Sequence, residues 1–359
     1  MKAAVLKAFG SPLAIETLPD PVLGTGEVIV DVVAASVLPY AGEVFSGERG
    51  YLLDLPVVPG AGAIGRVRAV GPDATRLSVG DWVLCDPIVR ARDGVPTPDI
   101  TLQGLSARGD GGLLLQRYFH DGAFAEQIRI PTENAAPIGP LDPADAGRWA
   151  ALHLLLVPYG GLLAADLRAG ETLLVSGATG NFGSAAVAVA LAMGAGCVVA
   201  PGRNEKALAD LAERFGPRVR PVRLTGDGDE DRERMKRAAP GAIDCVIDLL
   251  PPQAGTAPVR AAAMTVREFG RVVLMGGVGM EGGDDLGLPY PWLMRNSITV
   301  RGQWLCSREA VPRLTALIHS GLLDLNHFTV TDFALDDANE AVAHAADEKG
   351  RFRLTVIRP

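Results

Sequence analysis

The stretch Gly177-Ala178-Thr179-Gly180-Asn181-Phe182-Gly183 is the part of this sequence best suited to chemistry. It follows the apolar run Glu171-Thr-Leu-Leu-Val-Ser176 and precedes an alanine-rich, helix-prone run from Ser184 to Met193. A glycine-rich turn between strand and helix lets backbone N–H groups approach a pyrophosphate, and the helix N-terminus adds partial positive charge. Gly180 and Gly183 keep the last two glycines of a G-x-G-x-x-G pattern, while Ala178 replaces the first. Ala178, Thr179, Gly180, Asn181, Phe182 and Gly183 are therefore the expected contacts to a dinucleotide. About 20 residues past such a turn, an acid ordinarily reads the ribose 2′-hydroxyl. Here the next apolar run ends Val199-Ala-Pro-Gly-Arg203-Asn204, and no acid appears before Glu205. Arg203 and Asn204 are expected beside the ribose. A cation there suits a 2′-phosphate, so the expected cofactor is NADP(H) rather than NAD(H).

The surrounding elements fall into two textures. Over the first ~130 residues, short strands at 27–33, 63–70, 81–85 and 123–130 are broken by Gly and Pro, which suggests a small barrel or sandwich. Beyond residue 150 the pattern alternates. Strands at 171–176, 197–200, 242–249 and 270–275 are interleaved with helices such as 205–215, the mark of a parallel α/β sheet. The tail mixes helices over 308–320 and 336–349 with a strand over 351–357. The most apolar run, 149–167, is interrupted by His153, Pro158 and Asp166, so it reads as a buried helix and turn rather than a membrane span. The charged stretch 225–234 reads as a loop leading into a solvated helix.

Composition narrows the function classes. A chain of 359 residues suits two domains of roughly 100–200 residues each. With 34 Lys+Arg against 42 Asp+Glu, the net charge of −8 argues against nucleic acid or acidic membranes as partners. Cys85, Cys197, Cys245 and Cys306 are widely separated, with no C-x-x-C, and read as buried packing residues. Scattered thiols and an opening Met1-Lys-Ala-Ala-Val-Leu6 without an apolar leader core give cytoplasm as the expected compartment. The 43 glycines exceed the usual share of about 7% and demand many tight turns.

Four further segments carry a family resemblance. They are Pro59-Gly-Ala-Gly-Ala-Ile-Gly-Arg-Val67 with Val70-Gly71, Leu77-Ser-Val-Gly-Asp-Trp-Val83, Asp121-Gly-Ala-Phe-Ala-Glu126, and Gly270-Arg-Val-Val-Leu-Met-Gly-Gly277. Together with the glycine-rich turn they resemble the medium-chain dehydrogenase/reductase superfamily, nearly end to end. The resemblance implies an α/β fold: a GroES-like β-barrel catalytic domain, 1–154 and 305–359, plus a Rossmann dinucleotide-binding domain, 155–304. It also implies cofactor contacts at Gly276 and at Arg351. In the zinc enzymes of this superfamily the Cys ligand corresponds to Leu38, the His and Glu of the next segment to Ala61 and Gly62, and the third ligand to a position near His153. Leu and Ala cannot ligate zinc and one His cannot hold it alone, so no metal is expected there. The segment 86–121, where a four-cysteine zinc lobe would lie, contains no cysteine and is expected to be a surface lobe.

The resemblance then implies a zinc-free branch, similar to quinone oxidoreductases, in which another group must act as acid. Tyr40 corresponds to the Ser/Thr of the family's proton relay, and a phenol can donate to a developing oxyanion. His153 could donate a proton or orient Tyr40, and its other reading is a satisfied core histidine. Tyr159, His120, Trp304 and Tyr290 are weaker candidates, each also readable as packing, loop or interface residues. The expected function is NADPH-dependent hydride transfer to a small hydrophobic electrophile, a quinone, activated enone or ketone, in an interdomain cleft. A secondary alcohol/ketone pair and a non-catalytic NADPH-binding role are the alternatives. A homodimer is expected, with Ser297-Ile-Thr-Val-Arg301 as a strand that could pair across a two-fold axis.

Overall fold

The computed structural model describes residues 1–348 and 350–359. Two short strands, Lys2–Val5 (β1) and Ala14–Thr17 (β2), pair antiparallel before the long strand Glu27–Val37 (β3). Helix α1 (Ala41–Phe45), strands β4 (Ala63–Val70) and β5 (Trp82–Cys85), and a small sheet of β6 (Ile88–Arg90), β7 (Ile100–Leu102) and β8 (Ser106–Ala107) follow. Helix α2 (Gly109–Tyr118), β9 (Gln127–Pro131), β10 (Ala135–Pro137), α3 (Ala146–Trp149) and α4 (Ala151–Ala164) complete the first part of the chain. The α/β part then runs β11 (Thr172–Ser176), α5 (Asn181–Ala192), β12 (Cys197–Gly202), α6 (Glu205–Phe215), β13 (Val219–Arg223), α7 (Gly228–Ala238), β14 (Ile243–Asp248), α8 (Thr256–Ala263), β15 (Val266–Leu274), α9 (Tyr290–Arg295), β16 (Thr299–Gly302) and α10 (Ala310–His319). The chain ends with β17 (Thr329–Ala334), α11 (Ala338–Asp347) and β18 (Arg353–Arg358). The expected helix end at Lys349 lies outside the described residues.

The elements form two compact units. The first holds Met1–His153, Leu325–Lys349 and Arg353–Pro359. Its main sheet has the order β10-β5-β4-β3-β18-β17, with β9 also paired to β3. β3 is buried along most of its length because it carries Val, Ile and Ala on both faces. The cysteine-free segment 86–121 is not a bare loop but the β6-β7-β8 sheet and α2. The Gln103 side-chain amide fastens it by donating to the Asp121 and Arg129 carbonyls at 2.7 and 2.8 Å.

The second unit holds Leu154–Asp324 and Gly350–Phe352. Its six strands lie in the order β13-β12-β11-β14-β15-β16, all parallel. That is the 3-2-1-4-5-6 order of a doubly wound dinucleotide-binding sheet. Helix α5 is buried from Gly183 onward, since its run of Ala and Val lets it lie close against strands. Helix α6 buries only Ala207, Leu208 and Leu211, and each leucine contributes about 2 kcal/mol by leaving water.

The unit boundaries differ from those read off the sequence at the C-terminal side. The segment 305–324 belongs to the second unit, not the first. Its backbone lies against α4, where a side chain on Gly160 would meet the Leu305 carbonyl oxygen and Cys306 Cβ within 2.5–2.8 Å. Residues 350–352 also belong to the second unit. There Phe352 packs against Phe215 with ring centroids 5.6 Å apart and ring planes tilted by 56°, and Arg351 pairs with Asp210.

Candidate functional site

Strand β11 is buried throughout and delivers the chain to Gly177, whose φ of +84° puts it in the left-handed region that glycine tolerates. The turn closes with the Gly180 N–H donating to the Gly177 carbonyl at 2.9 Å. Gly180 is then the N-cap of α5, and no side chain caps that helix end. The helix N-terminus therefore keeps its partial positive charge and its outward N–H groups for a ligand. Gly183 has no alternative residue at this spacing, because any Cβ would overlap the Gly177 carbonyl oxygen. Ala178 is buried, and Thr179 lies against the end of β12, where a Cβ on Gly202 would sit 2.6 Å from its methyl carbon. The Asn181 side-chain amide donates to the Gly350 carbonyl at 3.1 Å, which ties the 350–352 segment to this turn. Phe182 is partly exposed on the first turn of α5. Gly276 sits on the adjoining rim, where a Cβ would be 2.5 Å from Asp248 Oδ2 and 2.6 Å from the Leu250 carbonyl. The crevice where strand order reverses, between β11 and β14, is thus bordered by Gly177, Leu249, Leu250 and Gly276. An uncapped helix N-terminus on a glycine-only cradle fits a dinucleotide pyrophosphate.

The sequence reading missed a buried pair beneath this rim. Ser176 and Asp248 end the neighbouring parallel strands β11 and β14 in register, and Ser176 Oγ donates to Asp248 Oδ1 at 2.8 Å. Burial pushes the Asp248 carboxyl up to about 6, against the opposing pull of the Ser176 hydroxyl and the Leu250 N–H. The available signal was an acid closing the otherwise apolar run Ile243–Asp248. Because the folded protein holds this proton more tightly than the unfolded chain, Asp248 favours the fold at low pH. That contribution is lost as pH rises through about 6. We expect Asp248→Asn to flatten the fall in stability between pH 4 and pH 7 by on the order of 2–3 kcal/mol, measured by urea unfolding at both pH values.

At the end of β12 the expected ribose contacts divide. Arg203 is exposed and has no carboxylate partner among the described residues. Asn204 is the N-cap of α6, its side-chain oxygen accepting from the Ala207 N–H at 3.0 Å. The cap occupies the side-chain oxygen. Arg351 does not stand free toward a phosphate either, because its Nε donates to Asp210 Oδ2 at 2.6 Å.

In the first unit, Tyr40 precedes α1 and packs against the core, with Arg49 lying 4.2 Å over its ring. Arg49 Nε in turn donates to Glu43 Oε2 at 2.8 Å. Burial, aided by the neighbouring Tyr51, pushes the Tyr40 phenol above its ordinary value of 10, so it is a neutral proton donor at physiological pH. His153 is buried beside Gly62, with Nε2 3.4 Å from the Cys85 carbonyl and Nδ1 3.3 Å from the Ala150 carbonyl. Burial pushes it below 6.5, so the ring is neutral at pH 7. A side chain on Gly62 would overlap His153 Nε2, so the structure does bring those two family positions together. No hydrogen bond joins Tyr40 to His153 among the described residues. Of Leu38, Ala61, Gly62 and His153, only the histidine offers a ligating atom, and this donor set does not fit zinc.

The remaining candidates lie elsewhere. His120 pairs with Asp121 at 3.0 Å, and that carboxylate raises its pKa. Tyr159 is buried in α4, whereas Tyr290 is 74% exposed and Trp304 50%, so neither of the last two is a core aromatic. The four cysteines are buried and form no disulfide among the described residues, and desolvation holds the Cys85, Cys197 and Cys245 thiols protonated.

Comparison with known proteins agrees with this geometry. Residues 24–140 match the alcohol dehydrogenase GroES-like domain, and residues 182–320 match the zinc-binding dehydrogenase family. An acryloyl-coenzyme A reductase of Metallosphaera sedula is 30% identical over 320 residues, 88% of this chain and 89% of that protein. This chain belongs to the medium-chain dehydrogenase/reductase superfamily. An alcohol dehydrogenase of Rhizobium meliloti is 31% identical over 323 residues, covering 86% of this chain and 85% of that protein. The solved alcohol dehydrogenase TADH from Thermus sp. ATN1 has a TM-score of 0.82 at 23% identity, covering all of both chains, and shares the fold. As a medium-chain dehydrogenase/reductase, the protein is an oxidoreductase that uses a nicotinamide dinucleotide.

Proposed function

We propose that this medium-chain dehydrogenase/reductase is a zinc-independent, NADPH-dependent reductase of activated enones or quinones. The observation that carries the reading is the donor set at the family's zinc positions, hydrocarbon at Leu38 and Ala61 and no side chain at Gly62. Hydride attack on an unactivated carbonyl leans on a Lewis acid. Attack on the β-carbon of an enone or on a quinone spreads the charge onto an already polarised oxygen and needs mainly a proton donor. The bound nicotinamide supplies the hydride. Ala178, Thr179, Gly180, Asn181, Phe182 and Gly183 hold its pyrophosphate, Gly276 keeps the neighbouring rim clear, and Arg203 meets the ribose phosphate. The Tyr40 O–H donates to the developing oxyanion. His153, neutral and buried, shapes the wall rather than moving a proton, since both ring nitrogens already face carbonyl oxygens. The similarity to an acryloyl-coenzyme A reductase supports an activated alkene, and the similarity to alcohol dehydrogenases keeps a secondary alcohol/ketone pair as the second reading.

NADPH oxidation across a panel of quinones, enones, enoyl thioesters and ketones tests the choice. Turnover confined to ketones and secondary alcohols would overturn the enone reading. No helix among the described residues is long and apolar enough to cross a membrane. The scattered, buried thiols support a reducing compartment, and we propose the cytoplasm. We further propose a homodimer. β16 is an edge strand with all four residues exposed, and Trp304 and Met294 stand exposed on the neighbouring segments. Light scattering on the intact protein checks the two-chain mass.

A further inference from the structure

The ends of β12 and β13 in the second unit carry an ion pair with no part in the proposed reduction. β12 and β13 run parallel with Gly202 beside Arg223, and the Leu224 N–H donates to the Gly202 carbonyl at 2.9 Å. Arg203 therefore follows one strand end and Arg223 closes the next. Arg223 Nη1 donates to Glu205 Oε1, on the first residue of α6. Glu205 is the first acid after the glycine turn. In dinucleotide folds that take an unphosphorylated ribose, an acid in this region accepts from the 2′-hydroxyl. Here a guanidinium faces it. Two neighbouring groups at this edge are already engaged. Asn204 caps α6, and Arg234 of α7 pairs with Glu230 at 2.6 Å while its Nη1 lies 3.4 Å from the Arg223 carbonyl. Arg203 and Arg223 are thus the two guanidiniums able to turn toward an anion, and Glu205 is the carboxylate that would repel it.

We propose that Arg223 is a specificity-determining residue: by neutralising Glu205 and joining Arg203, it completes a two-arginine clamp for a phosphate monoester on the coenzyme ribose. This rests on the NADPH reading. Charge decides the case. Among these three side chains, Arg203 beside a bare Glu205 sums to zero, whereas the added Arg223 leaves a net positive charge toward a group of charge near −2. The Arg223–Glu205 pair is itself about two-thirds exposed on both sides and contributes little to the fold, so the guanidinium can swing to the phosphate at small cost. Arginine also meets phosphate oxygens in bidentate fashion, which a single lysine could not replace.

Calorimetric titration of the intact protein with 2′,5′-ADP and with 5′-AMP tests this without turnover. The native protein is expected to prefer 2′,5′-ADP by about tenfold or more, the worth of one charged hydrogen-bond contact. Arg223→Gln should remove most of that preference while leaving 5′-AMP affinity and the thermal midpoint unchanged. Glu205→Gln should raise the preference several-fold. A preference that survives Arg223→Gln but is lost in Arg203→Gln would overturn the role of Arg223 and leave the NADPH reading standing. Equal affinity of the native protein for the two probes would overturn the NADPH reading itself, and the clamp with it.

Discussion

Tyr40→Phe lowers kcat for enone reduction by about 10²–10³-fold, the usual worth of a positioned general acid, and leaves the KM for NADPH within about twofold. The split follows from where the hydroxyl sits. Tyr40 lies in the first unit, capping no helix with its side chain and packed under Arg49, while the pyrophosphate cradle is built wholly from the second. Loss of one oxygen leaves the ring, its stacking on Arg49 and the Arg49–Glu43 pair in place, so the fold is unaffected. The phenol is held above its ordinary value of 10, so it stays protonated through the neutral range and the native enzyme shows no alkaline loss of rate from this group below pH 9. Equal kcat in Tyr40→Phe and the native enzyme, read from steady-state NADPH oxidation, would remove Tyr40 from the mechanism. His153→Asn provides the contrast. It keeps a polar group near the Cys85 and Ala150 carbonyls and should alter stability more than kcat.

Gly183→Ala has the second large effect, and it acts on both binding and folding. The added methyl overlaps the Gly177 carbonyl oxygen, which already accepts from the Gly180 N–H that closes the turn. The turn must open or α5 must lift from β11, an overpacking cost of about 1–3 kcal/mol. Either movement takes the helix N-terminus off the pyrophosphate, so NADPH affinity falls by about tenfold or more. Titration followed by NADPH fluorescence and a thermal melt of the same sample read the two effects separately. Unchanged affinity would mean that the pyrophosphate does not rest on this turn.

The glycine turn was legible because its demand is local. The strand, the turn and the helix occupy adjacent residues, and Gly183 is fixed by contact with Gly177 only six positions away. The two-domain pattern was legible for a similar reason, since strand and helix periodicities change near residue 150. What escaped the sequence depends on distant partners. Ser176 and Asp248 are 72 positions apart and meet only because β11 and β14 become neighbours at the reversal of strand order. Arg351 and Asp210 are 141 positions apart, so a residue expected at the cofactor phosphate proves to be held by a carboxylate on α6. The segment 305–324 reads as the return to the first domain, yet the bare backbone at Gly160 gives it a closer seat on α4 of the second. Asn204 shows a subtler limit. An asparagine after a strand suits a ribose contact and a helix N-cap equally well, and here its oxygen caps α6, which begins at the next residue.

Hydride transfer in this protein is proposed to proceed without a zinc ligand set. Metal analysis and initial rate on one preparation, before and after exhaustive chelation, test it most directly. Less than stoichiometric zinc and an unchanged rate of NADPH oxidation with an activated enone are expected. One tightly held zinc per chain, with activity lost on its removal and restored on its return, would contradict it.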